Sequence, residues 1–227
     1  MKRFLLSRST SVRIVPEVCV AGEPMLTYER EFAAVGFRRI AGIDEAGRGP
    51  LAGPVVAAAV ILPWRQPIAG VRDSKVVPPA ERERLYYQIL QSAVAVGVGM
   101  VEPRDIERVN VLQATIGAME EAVSRLSIPP DALLVDAVPL RRLLFPQRAV
   151  IRGDALSYVI AAASIIAKVT RDHLMDDYHL RYPRYGFRLH KGYGTPAHLE
   201  SLARYGACLI HRRTFRGVVP EGTPYAE

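Results

Sequence analysis

A short apolar segment that ends in two adjacent carboxylates restricts the fold of this chain more than any other feature. Residues 41–43 lead into Asp44 and Glu45, and the glycine-rich run Ala46-Gly47-Arg48-Gly49-Pro50-Leu51-Ala52-Gly53-Pro54 follows at once. Two like charges at the edge of an apolar core repel each other and stay ionised only where a cation neutralises them. Glycines let backbone N–H groups come close to a ligand. The pattern predicts a buried strand that carries a metal site beside a loop suited to a polyanion.

Composition and charge limit the class of protein. The chain has 227 residues, of which 49% are hydrophobic and 23% charged, as is typical of a globular protein with one substantial core. The net charge of +7 indicates an anionic partner, with nucleic acid ahead of a membrane surface; a merely basic soluble protein is the alternative. Cys19 and Cys208 have no metal or redox spacing, so we expect a reducing, cytoplasmic location. The longest apolar runs, 51–63 and 155–167, are shorter than a membrane helix, so no membrane partner is expected.

The rest of the chain alternates strand and helix patterns. Strands are predicted at 38–43, 55–62, 93–101, 132–136 and 149–152, and helices at 26–35, 78–91, 102–126 and 155–178, with a last helix after Thr195-Pro196 that ends before Gly206. This order predicts one α/β domain in which helices cover a mixed sheet. We place the domain at 25–217, between a flexible N-terminal extension, 1–24, and a flexible tail, 218–227.

Two further acids follow the same logic as the first pair. Asp136 comes directly after an apolar run, at the end of a predicted strand, where open α/β sheets bind their ligands. Asp154 precedes the predicted buried helix. Taken singly, Asp136 can be a turn residue, Asp154 a helix N-cap, and Asp44-Glu45 a structural pair. Taken together, acids from separate segments can meet at one edge of the sheet, and such a cluster suits Mg²⁺ or Mn²⁺.

The segment 44–58, Asp-Glu-Ala-Gly-Arg-Gly-Pro-Leu-Ala-Gly-Pro-Val-Val-Ala-Ala, resembles the signature of bacterial ribonuclease HII, the type 2 ribonuclease H. Further matching blocks follow in the family's order: Asp73-Ser74-Lys75, Asp136, Gly153-Asp154, residues 162–172, Tyr185-Gly186-Phe187, residues 190–195 and residues 211–215. The resemblance covers most of the chain. Because the glycine loop reads Gly-Arg-Gly, the related type 3 enzymes fit less well.

The resemblance implies a ribonuclease H-like fold, with a five-stranded mixed sheet, flanking helices and a helical C-terminal segment. It implies an endonuclease that cuts the RNA strand of RNA–DNA hybrids and nicks 5′ to single ribonucleotides in duplex DNA, leaving a 3′-hydroxyl and a 5′-phosphate. By the same match, Asp44, Glu45, Asp136 and Asp154 are the catalytic acids and bind two divalent ions, Mg²⁺ or Mn²⁺. We expect a monomer. The alternative function is a non-catalytic nucleic-acid-binding protein on the same fold.

Recognition of RNA requires contact with the 2′-hydroxyl group. The loop Gly47-Arg48-Gly49 suits this task, because small residues permit main-chain contacts, and in the family it reads the ribonucleotide. Tyr193 matches the family tyrosine that packs on the sugar at the RNA–DNA junction, and Lys191 belongs to the same loop. The alternative for Tyr193 is a buried core aromatic.

Other positions are expected to contact the substrate backbone. Lys75 and Lys168 resemble family lysines, and Ser74 and Ser164 are expected to add hydroxyl contacts. The alternatives are solvated surface lysines and helix-packing serines.

Residues 181–216 contain eight Lys and Arg against one acid, with aromatic residues interleaved. This pattern predicts a backbone-binding face whose affinity falls with salt, although the aromatics can instead anchor the C-terminal helix. We assign His190, His198 and His211 structural or phosphate-contact roles, since a two-metal scheme needs no protein base.

Overall fold

The computed structural model describes residues 24–218. Residues 1–23 and 219–227 lie outside this part, and with them nearly all of the predicted N-terminal extension and C-terminal tail. The proposed domain boundaries therefore stay predictions.

Strands and helices alternate along the described residues. The strands are β1 Ile40–Ala46, β2 Val55–Ile61, β3 Ala95–Val101, β4 Ala132–Asp136 and β5 Gln147–Val150. The helices are α1 Thr27–Ala34, α2 Pro79–Ser92, α3 Pro103–Val109, α4 Val111–Ser124, α5 Gly153–Leu156, α6 Tyr158–Arg181, α7 Phe187–His190 and α8 Pro196–Tyr205. Short 3-10 turns cover Pro24–Leu26 and Pro183–Tyr185.

The five strands form one mixed sheet in the order β3-β2-β1-β4-β5. The pairs β1–β2 and β2–β3 are antiparallel, whereas β1–β4 and β4–β5 are parallel. The sheet, its flanking helices and the helical C-terminal segment confirm the predicted fold. Strand β1 is the middle strand, between β2 and β4. The residues at its carboxyl end are therefore held by a neighbouring strand on each side.

Helices cover both faces of the sheet. The long helix α6 packs on β1 and β2, while α4 packs on β2 and β3. Contact between α6 and β1 is very close: a Cβ atom at Gly42 would lie 2.1 Å from the carbonyl carbon and oxygen of Val159. In the described part of the chain, no helix combines the length and apolarity needed to cross a membrane.

The predicted helix 102–126 is two helices, and the prediction of one was wrong. Asn110 separates α3 from α4 with a φ of 73° and a ψ of 163°, a strained backbone conformation that residues other than glycine rarely adopt. Its Oδ1 accepts hydrogen bonds from the N–H groups of Leu112 (3.0 Å) and Gln113 (3.1 Å). Asn110 therefore caps α4 while it ends α3.

The predicted helix 155–178 is also interrupted, at Ser157, which caps α6 by accepting from the N–H of Ile160. The buried carboxylate of Glu29 accepts from Ser157 Oγ (2.7 Å) and from the N–H of Val159 (3.0 Å). The interpretation of Asp154 as the N-cap of the long helix was therefore wrong, because Asp154 lies inside α5. Glu29, which completes the cap, belongs to α1 and is far from Ser157 in sequence, so no local pattern indicates the contact.

The C-terminal segment has its own small core. Thr195 caps α8 and the helix ends before Gly206, as predicted. Tyr185, Phe187, Met175 and Leu202 are buried together. For Tyr185 and Phe187 the structure thus confirms the anchoring alternative rather than exposure on a binding face.

Candidate active site

The register of the parallel strands brings the acids together. The β1–β4 pairing ends at Ile43 opposite Val135, so Asp44 and Asp136 emerge side by side at the carboxyl ends of neighbouring strands. Glu45 follows Asp44 directly. One carboxylate oxygen from each of Asp44, Glu45 and Asp136 lies within 4.8 Å of the other two. This cluster is at the edge of the sheet where an α/β fold binds ligands.

Asp154 lies beside this cluster and is not one of its three members. The N–H of Gly153 donates to Asp136 Oδ1 at 2.7 Å, which ties the start of α5 to the end of β4. Asp154 Oδ2 accepts from Lys75 Nζ at 2.7 Å. The Asp154 charge contributes to raising the pKa of Asp44 and of Asp136. The fourth acid is therefore close enough to interact electrostatically with the other three, and Lys75 partly balances its charge.

Burial and mutual repulsion disfavour the ionised form of the cluster. Burial raises the pKa of Asp44 well above its usual range, and the charges of Glu45 and Asp136 raise it further. Burial also raises the pKa of Glu45, although Arg48, 3.3 Å away, opposes the shift, and it raises the pKa of Asp136. A divalent cation would remove this repulsion, and carboxylate oxygens are the ligands that Mg²⁺ and Mn²⁺ prefer. The donor set therefore fits a hard metal ion.

Two buried arginines hold the glycine-rich loop from below. Arg212 donates to the carbonyl oxygens of Gly47 (2.6 Å), Arg48 (3.0 Å) and Gly53 (2.7 and 2.9 Å). Arg171 donates to the carbonyl oxygens of Ala52, Pro54 and Lys191 at 2.9–3.0 Å. Burial lowers the pKa of Arg212 to about 9 and that of Arg171 to about 10. Both guanidinium groups thus bind main-chain carbonyls, and their charge lies directly beneath the loop.

This arrangement turns main-chain N–H groups outward. In a trans peptide the C=O group and the following N–H group point in opposite directions. Because the carbonyls of Gly47 and Arg48 point at Arg212, the N–H groups of Arg48 and Gly49 point away from it. Within residues 24–218 neither N–H has a hydrogen-bond acceptor. Two free donors and an underlying positive charge make the loop a suitable contact for an anion.

Gly47 is required at its position for two reasons. Its φ of +95° is unfavourable for other residues, and a Cβ atom there would lie 2.1 Å from Arg171 Nε. The loop can therefore lie directly on the buried arginine.

A sequence model described as ribonuclease HII matches residues 41–218, which include the acids, the glycine-rich loop and both buried arginines. The chain belongs to the ribonuclease HII family. It is therefore a ribonuclease, a hydrolase that acts on phosphodiester bonds, as predicted.

Individual relatives agree with this assignment. Ribonuclease HII of Geotalea uraniireducens is 54% identical over 200 residues, which cover 88% of this chain and 93% of the relative. Ribonuclease HII of Geobacillus kaustophilus is 56% identical over 196 residues, covering 86% and 75%. The crystal structure of ribonuclease H2 from Pyrococcus horikoshii superposes with a TM-score of 0.69 at 30% identity, covering 80% of this chain and 95% of that one.

Tyr193 is at the surface, as the ribonuclease HII resemblance implies. Its side chain is 48% exposed, so the alternative of a buried core aromatic was wrong. A Cβ atom at Gly49 would lie 3.8 Å from Tyr193 Cε1, so the tyrosine ring lies beside the glycine loop. The loop and the ring therefore form one continuous surface.

Two of the lysines predicted to contact the substrate form ion pairs within the protein. Lys168 Nζ donates to Asp172, and Lys191 Nζ donates to Asp176. Burial also lowers the pKa of Lys168. A contact between either lysine and a phosphate would have to replace or share its aspartate partner.

Ser74 and Ser164 are both buried, and their hydroxyl oxygens are 2.6 Å apart. One hydroxyl thus donates to the other, between α6 and the segment before α2. For this pair the structure favours the helix-packing alternative over a contact with the substrate.

The predicted basic face is smaller than the sequence indicates. Arg212 belongs to residues 181–216 but is fully buried beneath the glycine loop, so its inclusion in that face was wrong. Arg184 and Arg204 instead lie over the half-exposed ring of Tyr205, at 5.1 and 5.2 Å from its centroid. Sequence reasoning missed the supporting role of Arg171 and Arg212. Both lie in family blocks, but no spacing distinguishes a buried arginine from an exposed one.

Metal binding and pH are expected to act on stability through the acid cluster. For an acid whose pKa is higher in the folded than in the unfolded state, the folded state holds the extra proton between the two values. The free energy of unfolding of the metal-free protein should therefore fall as the pH rises from about 4 through the raised pKa values of Asp44, Glu45 and Asp136. Mg²⁺ or Mn²⁺ binds the ionised carboxylates, so it should raise the melting temperature more at pH 8 than at pH 5. Thermal melts at both pH values, with metal and with chelator, measure this difference. An equal metal-induced rise in melting temperature at pH 5 and pH 8 would contradict the prediction.

Proposed function

We propose that this chain is an endonuclease that cleaves the RNA strand of RNA–DNA hybrids and nicks duplex DNA on the 5′ side of a single embedded ribonucleotide. One observation carries the proposal: three carboxylates meet within 4.8 Å beside a loop with two outward N–H groups. The first feature suits metal-assisted phosphoester hydrolysis, and the second suits a phosphate or a sugar hydroxyl.

The acids are arranged to act as fixed ligands. The N–H of Glu45 donates to Asp44 Oδ1 at 2.7 Å, and Gly153 does the same for Asp136 Oδ1. These bonds limit rotation of both carboxylates, so their remaining lone pairs keep a defined direction. We assign Asp44, Glu45, Asp136 and Asp154 to the binding of two divalent ions, Mg²⁺ or Mn²⁺. When bound, such ions supply an acidified water and charge neutralisation at the leaving 3′-oxygen, giving 3′-hydroxyl and 5′-phosphate products.

The loop and Tyr193 are assigned to recognition of the ribonucleotide. The free N–H groups of Arg48 and Gly49 are placed to donate to a phosphate or a 2′-hydroxyl oxygen. The exposed ring of Tyr193 offers an apolar face for the sugar next to them. Because a hydrogen atom replaces Cβ at Gly49, the backbone can approach the sugar closely.

A cleavage assay tests the proposal directly. A duplex with one ribonucleotide, an RNA–DNA hybrid and an all-DNA duplex are incubated with protein in Mg²⁺, in Mn²⁺ and in chelator. We expect metal-dependent nicking 5′ to the ribonucleotide, cleavage of the hybrid, and no reaction with the all-DNA duplex. Tight binding without nicking in any metal would instead support the non-catalytic binding protein.

Replacement of Tyr193 by alanine should weaken cleavage at the single ribonucleotide without unfolding the protein. The ring is half exposed, so its loss leaves no buried cavity. We take the contact of the ring with the sugar as comparable to one base–aromatic stack, about 1–3 kcal/mol, which predicts a roughly 5- to 160-fold fall in kcat/KM. Steady-state kinetics together with a thermal melt test this. Tyr205→Ala, which removes another half-exposed tyrosine, serves as the matched control, and equal losses in both variants would count against the assigned role.

A further inference from the structure

Two buried histidines outside the acid cluster are hydrogen-bonded to each other. His198 on α8 is fully buried and His211 is 2% exposed. Their Nε2 atoms are 3.0 Å apart. A hydrogen bond between two ring nitrogens requires one protonated and one unprotonated nitrogen. The pair therefore has a defined direction, and the neighbouring groups determine it.

The main chain assigns every proton in this pair. His198 Nδ1 lies 2.9 Å from the carbonyl oxygen of Tyr193, which can only accept, so His198 carries its proton on Nδ1. His211 Nδ1 accepts from the N–H of Cys208 at 2.9 Å and lies 3.1 Å from the Cys208 sulfur; because the backbone N–H can only donate, His211 carries its proton on Nε2. His211 Nε2–H then donates to His198 Nε2. The two residues are neutral and have opposite tautomers, and each assignment agrees with the other.

The chain of hydrogen bonds ends at the residue that lies beside the glycine loop. The Tyr193 carbonyl accepts from His198 and also from the N–H of Thr195 at 2.8 Å. A third histidine supports the same loop: His190 accepts on Nδ1 from the N–H of Gly192 and is stacked on His198, with centroids 4.4 Å apart. The backbone of residues 192–195 is thus held from the buried side, while the Tyr193 ring stays at the surface.

We propose that His198 and His211 are positioning residues that hold the Tyr193 ring beside Gly49 through the directed hydrogen bonds Cys208 N–H to His211, His211 to His198, and His198 to the Tyr193 carbonyl. The proposal rests on the proposed function, because it matters for cleavage only if Tyr193 contacts the ribonucleotide. Neither histidine touches the substrate, and neither transfers a proton in the reaction.

The tautomers can be observed in the unaltered protein. Nitrogen NMR of histidine-labelled protein at neutral pH should show His198 protonated on Nδ1 and His211 protonated on Nε2. Any other pattern, including a charged ring in either residue, would overturn the proposal. This measurement needs no variant and therefore does not depend on how well a substituted protein folds.

A matched pair of variants tests the link to Tyr193. The amide of asparagine lies near the position of histidine Nδ1, and that of glutamine near Nε2. His198→Asn should keep the bond to the Tyr193 carbonyl, whereas His198→Gln should keep the contact with His211 and lose that bond. We expect about a tenfold rise in KM for the single-ribonucleotide duplex in His198→Gln, with kcat changed less, and a near-normal KM in His198→Asn. His173→Gln, an exposed histidine paired with Glu83, is the control.

The same substitution in a Tyr193→Ala background separates this proposal from the proposed function. If the histidines act through Tyr193, His198→Gln adds no further rise in KM once the ring is absent. An equal rise in both backgrounds, or equal losses in His198→Asn and His198→Gln, would overturn the positioning role. If Tyr193→Ala itself leaves cleavage unchanged, the assigned contact between Tyr193 and the ribonucleotide fails, and the positioning proposal fails with it; the tautomer pattern alone would then describe only the fold.

Discussion

Replacement of Asp44 by asparagine is expected to abolish cleavage and, at the same time, to stabilise the metal-free protein. Asp44 is buried among other carboxylates, and its pKa is raised first by burial and then by the charges of Glu45 and Asp136. Asparagine keeps the oxygen that accepts from the N–H of Glu45 but removes a buried negative charge. Repulsion in the cluster falls, and under the proposed assignment a metal ligand is lost.

Loss of one charged ligand from a metal-dependent site should reduce kcat by about 10³-fold or more. Binding of a ribonucleotide-containing duplex should change little, because the glycine loop and Tyr193 are unaltered. Single-turnover cleavage, a binding titration and a thermal melt in chelator measure the three effects. A fully active variant would refute the assignment of Asp44, and a lower melting temperature in chelator would refute the repulsion argument.

Asp131 offers a control, since its replacement by asparagine is expected to change the melting temperature in the opposite direction. It lies just before β4, at the end of the strand away from Asp136. Hydrogen bonds from the Arg39 side chain, with further bonds from the backbone of Arg39 and Arg38, lower the pKa of Asp131 to about 2. An acid with a lowered folded pKa stabilises the protein above its unfolded pKa, and this contribution is lost as the pH falls through the folded value. Asp131→Asn should therefore lower the melting temperature at neutral pH and leave cleavage intact.

Replacement of Gly42 by alanine is expected to prevent stable folding. The new Cβ atom would lie 2.1 Å from two backbone atoms of Val159, in the first turn of α6, and the backbone of a packed helix cannot move aside as a flexible side chain can. Helix α6 would have to separate from the central strand β1, which would open the larger of the two sheet-facing cores. We expect a loss of about 4 kcal/mol or more in the free energy of unfolding.

Gly117 provides the control, since this half-buried glycine of α4 has room for a side-chain atom. A Cβ atom there meets only Val101 Cγ2, at 4.0 Å. Gly117→Ala in the interior of α4 should therefore stabilise the protein by about 0.5–1 kcal/mol. Denaturant titrations of both variants give the comparison. Wild-type stability in Gly42→Ala would show that α6 can shift away from β1 at little cost.

The elements of the fold and the position of the acids could be predicted because their signals are local. Alternating or continuous apolar runs indicated all five strands, although β5 begins and ends two residues earlier than predicted, and the strand-end positions of Asp44, Glu45 and Asp136 indicated one sheet edge. Prediction failed where a single side chain interrupts a longer pattern. Asn110 and Ser157 end helices whose apolar periodicity continues past them, and in the second case the partner that completes the cap, Glu29, is 128 residues away.

The amino-acid sequence by itself determined that this chain carries a carboxylate cluster and a glycine-rich loop on an α/β sheet, because residue type and short spacing are enough to specify both. Only the tertiary structure decided which side chains support them. Arg212 reaches the Gly47 carbonyl across 165 residues, and His198 reaches His211 from a separate element. Whether an arginine or a histidine is buried, and which atoms it binds, depends on how distant segments pack. Such contacts join residues that are far apart in sequence, so no periodic pattern in the sequence indicates them.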